Sequence, residues 1–162
     1  MNAEQLTGMI VSGVAATLAL DAWQRLVHRL GGYPPSNWAM VGRWLAVLVR
    51  RGVIFNDRLA KTEPVAREGL MGWSLHYVMG VAYAALYWYV WRHGELLQAN
   101  WQHGLLAGAV SVVVPWFFFM PAMGAGVLAR HAPSPTRTCL SALAGHTVFG
   151  AALGAALGAT LA

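Results

Sequence analysis

Four long stretches of apolar residues, separated by shorter polar connections, dominate this chain. Asp21 is the only charged residue between Glu4 and Arg25. No Asp, Glu, Lys or Arg lies between Glu68 and Arg92, between Glu95 and Arg130, or after Arg137. About 20 residues, rising 1.5 Å each, cross the roughly 30 Å hydrocarbon core of a bilayer. The pattern predicts one all-α membrane domain over 1–162, a bundle of four transmembrane helices near 5–28, 69–91, 101–129 and 138–161.

The first connection is the largest polar region, and it contains a further predicted helix. Gly and Pro residues at 31–35 interrupt the preceding helix. Ser36 or Asn37 can cap the next one, and Gly52 can end it. Its apolar residues recur at helical spacing, at Trp38, Val41, Leu45 and Leu48. The sequence predicts a cytoplasmic amphipathic helix at about 36–51, which either lies on the lipid surface or caps the bundle.

Composition and charge agree with a membrane protein, since 57% of the residues are hydrophobic and 10% are charged. The net charge of +5 does not indicate a nucleic-acid partner, because the basic residues are spread over connections and form no patch. Ten of the 11 Lys and Arg residues flank or fill the first and third connections, and Arg92 alone lies in the second. The positive-inside rule predicts that those two connections are cytoplasmic and that both termini are periplasmic.

Two histidines lie inside predicted spans with matching neighbours. His76 in the second span and His146 in the fourth are each followed, four residues later, by a glycine (Gly80 and Gly150) and then by alanines. The first and third spans also resemble each other weakly in their small residues. A parallel duplication of two helix pairs is therefore a possible origin of the chain.

Asp21, His76 and His146 are predicted to share one layer. Counting from the cytoplasmic ends of their spans places all three roughly 6 to 12 Å from the boundary, at 1.5 Å per residue. Ionisable residues inside a span are costly, so they are candidates for a functional site. The residues within about one turn that can support the layer by hydrogen bonding include Thr17, Tyr77 and Thr147.

Spans three and four carry two further features that concern packing. Pro115 and Pro121 each remove a backbone donor and free a carbonyl one turn earlier. They predict a kinked, broken or strongly tilted third span, whose bend either lines a cavity or only serves packing. Gly150, Gly154 and Gly158 form a ridge of small residues that allows another helix to approach closely. That helix belongs either to the same chain or to a second copy in a possible homodimer.

The residues leave three interpretations of the Asp21, His76 and His146 layer. In the first, the layer is structural, in a protein that supports its own bundle or the assembly of a partner. In the second, it is a protonatable site that binds or translocates a small solute or ion. In the third, it holds a cofactor, which is either a divalent metal on all three side chains or haem b on the two histidines. Enzymatic activity is not indicated, because no Gly-x-Ser-x-Gly or His-Glu-x-x-His motif occurs.

Several combinations of residues carry a family resemblance over nearly the whole chain. They are residues 16–21, 41–44, His76-Tyr77 with Gly80, Pro115 with 121–126, Pro133-Ser134-Pro135 and 146–150. With these the sequence resembles the bacterial integral-membrane family catalogued as domain of unknown function 2938. The resemblance implies a four-span protein of the bacterial inner membrane, with the lipid bilayer as its surroundings. It implies no activity, substrate or cofactor.

Overall fold

The computed structural model describes residues 2–161, and the regular structure among them is entirely helical. The helices are α1 (Ala3–Arg29), α2 (Trp38–Arg51), α3 (Glu68–His93), α4 (Trp101–Ala122) and α5 (Pro135–Leu161). Two short 3₁₀ turns cover Leu59–Lys61 and Val127–Ala129. The predicted all-α class is confirmed.

Three helices are long and apolar enough to cross a membrane, namely α1, α4 and α5. Helix α3 is of similar length, at 26 residues, but it is rich in Trp and Tyr. These side chains count as weakly polar on the hydropathy scale, although they are common at membrane interfaces. The chain thus has the architecture of a helical membrane protein with three candidate spans.

The helices pack mainly in four pairs. Helix α1 contacts both α3 and α5, α2 packs on α3, and α4 packs on α5, whereas α3 and α5 touch little. The larger of two core clusters joins α1, α3 and α5, and it includes Met9, Ala84 and Phe149. A second cluster, which includes Trp44 and Ala122, joins α2 to the end of α4. The two histidines of the sequence motif therefore belong to different helix pairs.

Glycines set the distance between α4 and α5. A Cβ atom on Gly104 or Gly108 would collide with the backbone of α5, and one on Gly150 or Gly154 would collide with the backbone of α4. Gly158 likewise faces the carbonyl of Ala99. The predicted glycine ridge of the fourth span is therefore occupied by a helix of the same chain. A homodimer through the fourth span stays a prediction, and it would need another surface of α5.

Helix α2 begins and ends as predicted but buries a different face. The side chain of Asn37 accepts from the backbone of Met40, and Gly52 ends the helix with a φ of 67°. The buried residues are Val41, Gly42, Trp44, Ala46 and Val47. The buried face includes Gly42 because Gly42 and Gly72 let the backbones of α2 and α3 touch. Helix α2 packs on α3, and its position relative to the lipid surface stays a prediction.

Helix α4 is irregular in its second half, as its prolines predict. The regular α-helix ends at Ser111 and is followed by a π-helical turn over Pro115–Phe119. Pro115 has no N–H to donate to the carbonyl of Ser111. Within the π-helical turn, the Met120 N–H donates to the carbonyl of Pro115, five residues earlier. The helix ends at Ala122, before the predicted limit at residue 129, because Gly124 turns the chain with a φ of 87°.

Candidate functional site

A buried carboxylate and histidine join α1 to α3. Nε2 of His76 lies 2.9 Å from Oδ1 of Asp21, and the two residues are 8% and 3% exposed. Because an ionised carboxylate can only accept, we assign the hydrogen to Nε2 of His76. The hydroxyl of Tyr77 donates to Oδ2 of Asp21 at 3.1 Å. Both oxygens of this carboxylate thus have a partner on α3.

Aromatic rings enclose His76. Trp38, the first residue of α2, stacks on the imidazole with ring centroids 3.8 Å apart and planes 23° apart. Trp73 and Tyr77 approach it edge-on, at centroid distances of 5.7 and 5.5 Å. His76 is therefore bonded to the Asp21 carboxylate through Nε2 and covered on one face by the Trp38 ring.

Small residues allow α1 and α3 to come close enough for this hydrogen bond. Thr17 precedes Asp21 by one helical turn and is fully buried against Gly80, which follows His76 by one turn. A Cβ atom on Gly80 would collide with Oγ1 of Thr17. The Thr17 hydroxyl donates to the carbonyl of Gly13 at 2.8 Å and does not reach the carboxylate. Thr17 thus supports the helix contact and not the hydrogen bonding of the site.

An ion pair between α2 and α3 holds Trp38 in place. The guanidinium of Arg43 donates to both oxygens of Glu68, at 2.9 and 2.8 Å, and to the carbonyl of Thr62 at 2.9 Å. The bonds from Arg43, followed by one from the Val65 N–H, lower the pKa of Glu68 from 4.5 to about 2. The same pairing raises the pKa of Arg43. Helix α2 is therefore fixed beside the buried Asp21–His76 pair by an ion pair with the first residue of α3.

His146 lies on α5 and faces α4. Its Nδ1 is 2.7 Å from Oγ of Ser111, which also donates to the carbonyl of Gly108 at 2.7 Å. The neighbouring Gly145 packs against the side chain of Leu20, the residue before Asp21. His146 is thus near Asp21 in depth but bonds to a different helix. The structure divides the predicted layer into an Asp21–His76 pair and a His146–Ser111 pair.

The two pairs do not form the predicted three-ligand metal site. Within residues 2–161, no three His, Cys, Asp or Glu side chains lie close enough together to hold a metal ion. Trp38 covers one face of His76, and Nε2 of His76 bonds to Asp21, which leaves no free path to a haem iron on that side.

The other predicted supporting residues lie elsewhere. Thr147 donates to the carbonyl of Ala144, one turn earlier on its own helix, at 2.8 Å. Pro115 and Pro121 flank the π-helical turn, whose Phe119 ring packs edge-on against Trp44 of α2, with centroids 5.5 Å apart. The prolines therefore shape the contact between α4 and α2, and not the surroundings of Asp21.

Four important residues, Trp38, Arg43, Glu68 and Ser111, were not predicted as part of the site. Trp38 was assigned to the apolar face of α2, and only the tertiary contact shows that it covers His76. The Arg43–Glu68 pair spans two helices and has no local signal. Ser111 did have a signal in the sequence, because it is the only Ser or Thr in the predicted third span. A lone hydroxyl in an apolar helix is a reason to search for a polar partner across the interface.

Comparison with known proteins identifies a family and no individual relative. The family described as "Protein of unknown function (DUF2938)" matches residues 10–161. No curated protein and no solved structure matches the chain. The matched range includes Asp21, His76, His146 and the glycines that pack beside them. The chain belongs to the DUF2938 family.

Proposed function

We propose that the chain is a four-span protein of the bacterial inner membrane, with α3 as the fourth span. Helix α3 has no Asp, Glu, Lys or Arg between Glu68 and Arg92 and packs along α1, a candidate span. The concentration of basic residues in the first and third connections supports cytoplasmic loops and periplasmic termini. This orientation puts Trp38 and the Arg43–Glu68 pair on the cytoplasmic side of Asp21.

We also infer that the two helix pairs arose by parallel duplication. In the pair α1–α3, His76 bonds to Asp21, and Gly80 receives the preceding turn of α1. In the pair α4–α5, His146 bonds to Ser111, and Gly150, four residues after His146, packs against Gly108 in the preceding turn of α4. Matching contacts at matching spacings support a common origin more strongly than the sequence similarity does.

We propose that Asp21 and His76 form a protonatable site through which the protein binds or translocates a small solute or ion. The observation that carries this proposal is a hydrogen-bonded carboxylate and imidazole, both less than a tenth exposed, between two apolar helices. A polar contact between membrane helices contributes on average only about 0.6 kcal/mol. Stability alone is therefore a weak reason to keep an ionisable pair there.

The chemistry of the pair suits exchange of a proton for a cation. When His76 is protonated, the pair is neutral overall, and when the proton leaves, one negative charge remains on Asp21. A monovalent cation that takes the place of the proton restores neutrality, so both loaded forms avoid a net charge inside the membrane. Trp38 closes the site on the α2 side. Access from the cytoplasm would require the start of α2 to move away from α3.

The test uses full-length protein in sealed vesicles that contain a pH-sensitive dye. Gradients of Na⁺, K⁺, Mg²⁺ and a small organic ammonium ion are imposed one at a time, and the change in internal pH is recorded. We expect at least one gradient to move protons through the wild type. Asp21→Asn and His76→Gln should abolish this movement, because each removes one protonatable group while nearly preserving its shape.

Ser111→Ala is the matched control, since it breaks the corresponding hydrogen bond of the other helix pair. It should leave proton movement unchanged. Identical internal pH traces for the wild type, Asp21→Asn and His76→Gln would refute the proposal. If those two variants instead lose only thermal stability, the pair has the structural role.

A further inference from the structure

The segment that follows α2 exposes three consecutive apolar side chains. Val53, Ile54 and Phe55 are 39%, 42% and 59% exposed. Their backbone is nevertheless held by the protein. The indole N–H of Trp44 donates to the carbonyl of Ile54 at 2.7 Å, and the N–H of Asn56 donates to the carbonyl of Ala122 at 3.0 Å. We call Val53–Phe55 the apolar wedge.

The apolar wedge lies level with the last turns of a candidate span. The ring of Phe55 contacts that of Phe118 edge-on, with centroids 6.1 Å apart. Phe118 and the neighbouring Phe117 are themselves 39% and 55% exposed on α4. Non-helical backbone is tolerated at membrane depth only where its polar groups have partners in the protein. The bonds from Trp44 and to Ala122 give such partners to the carbonyl of Ile54, in the middle of the wedge, and to the N–H of Asn56, directly after it.

Arginines flank the apolar wedge on both sides. Arg50 and Arg51 precede it at the end of α2, Arg58 follows it, and all three are exposed. The ion pairs found among residues 2–161 are Arg43–Glu68 and His76–Asp21, so these arginines pair with no carboxylate in that part of the chain. Long basic side chains beside an apolar surface can extend to the headgroup layer, where acidic phospholipids attract them.

The third connection, which contacts the chain just after the wedge, also exposes an apolar side chain on a strained backbone. Leu128 adopts a left-handed φ of 52°, which is costly for a residue other than glycine, and yet its side chain is 43% exposed. Gly124, in the same connection, packs against the carbonyls of Asn56 and Asp57, which follow the wedge. The two connections therefore meet at Gly124, and each of them has exposed apolar side chains.

We propose that the apolar wedge inserts into the membrane leaflet that faces the first connection and that Arg50, Arg51 and Arg58 bind the headgroups of acidic phospholipids. Helix α2 itself then packs on protein, and the chain that follows it makes the lipid contact. The proposal concerns lipid recognition and does not depend on the function of Asp21 and His76.

The headgroup contact is tested by the lipids that stay bound to the full-length protein. Protein in vesicles of equal phosphatidylglycerol and phosphatidylcholine is released into mild detergent, and bound lipid is measured by native mass spectrometry. We expect phosphatidylglycerol to exceed phosphatidylcholine by about ten-fold in the wild type. Changing Arg50, Arg51 and Arg58 to Gln should bring the ratio close to one. Equal retention of both lipids by the wild type would overturn the proposal.

A variant of equal charge controls for the loss of three positive charges. Arg29, Arg92 and Arg137 are also exposed, and we expect their joint change to Gln to leave the lipid ratio unchanged. An equal fall in the ratio for both triple variants would show general charge attraction and would refute a specific site.

Insertion of the wedge is tested separately by thiol labelling. In a Cys139→Ser background, Phe55→Cys is compared with Leu96→Cys, a residue 85% exposed in the second connection. In lipid nanodiscs, a charged maleimide should label position 55 at least about ten-fold more slowly, because it cannot enter hydrocarbon. Equal labelling rates would refute insertion and leave the wedge as a docking surface for a protein.

Discussion

The two helix pairs that carry the histidines share a contact geometry and differ in chemistry. In each pair a histidine bonds to a polar side chain of the neighbouring helix. A glycine one turn later lets that helix pack in close contact. The partner is the carboxylate of Asp21 in one pair and the hydroxyl of Ser111 in the other. Only His76 is also covered by a stacked indole, because α2 packs on α3.

The same helix packing can therefore hold a histidine beside either a carboxylate, as in Asp21–His76, or a hydroxyl, as in Ser111–His146. The close approach of the helices depends on glycine and is present in both pairs. The ability to carry charge depends on a single partner residue and on what covers the histidine. We therefore expect packing variants to affect both pairs alike, and polar variants to separate them.

The largest effect is expected from a large side chain on the α4–α5 glycine ridge. Gly150→Leu would drive α4 away, because a Cβ atom there already lies 2.6 Å from Cα of Gly108. We expect a loss of about 3 kcal/mol of unfolding free energy, measured by circular dichroism in mixed detergent and SDS. Gly69→Leu is the control, since nothing lies within 4 Å of a Cβ atom there. Equal stability of both variants would contradict the role of the ridge.

An intermediate effect should distinguish the polar partners of the two histidines. Asp21→Ala leaves buried donors on His76 and Tyr77 without an acceptor, so we expect a loss of about 2 kcal/mol. Ser111→Ala removes one neutral hydrogen bond and should cost about 0.6 kcal/mol. Both are measured by the same unfolding titration. Equal losses would show that the Asp21 carboxylate contributes no more to the free energy of unfolding than the Ser111 hydroxyl.

The smallest effect concerns the Arg43–Glu68 ion pair, which fixes α2 and with it Trp38, the residue that covers His76. The pKa of Glu68 is lowered to about 2, so its pairing with Arg43 stabilises the fold fully above pH 4.5. This contribution is lost as the pH falls from 4.5 towards 2. In that range we expect the unfolding midpoint of the wild type to fall more steeply than that of Glu68→Gln. Glu63→Gln, in the same connection, should retain the wild-type slope. If the unfolding midpoint of Glu68→Gln fell with pH as steeply as that of the wild type, the ion pair would not be the source of this pH dependence.

Much of the helical layout was predictable because it depends on local patterns. Long uncharged runs, Asn37 before α2, Gly52 after it and the prolines of α4 each act over a few residues. The end of α4 was less predictable, since the apolar run continues beyond Ala122 while Gly124 turns the backbone. Charge counting also put Asp21 and the two histidines near one depth, but depth does not say which side of a helix a residue faces.

The sequence by itself determined an all-helical chain with apolar spans, the start and end of α2, the irregularity of α4 and the residues able to carry charge inside the bundle. Only the tertiary structure decided that Asp21 meets His76, that His146 meets Ser111 and that Trp38 covers one histidine and not the other. The physical reason is that helix contacts depend on where small residues allow two backbones to approach. Gly80 against Thr17 and Gly150 against Gly108 determine these partners, and such pairings join residues far apart in the chain.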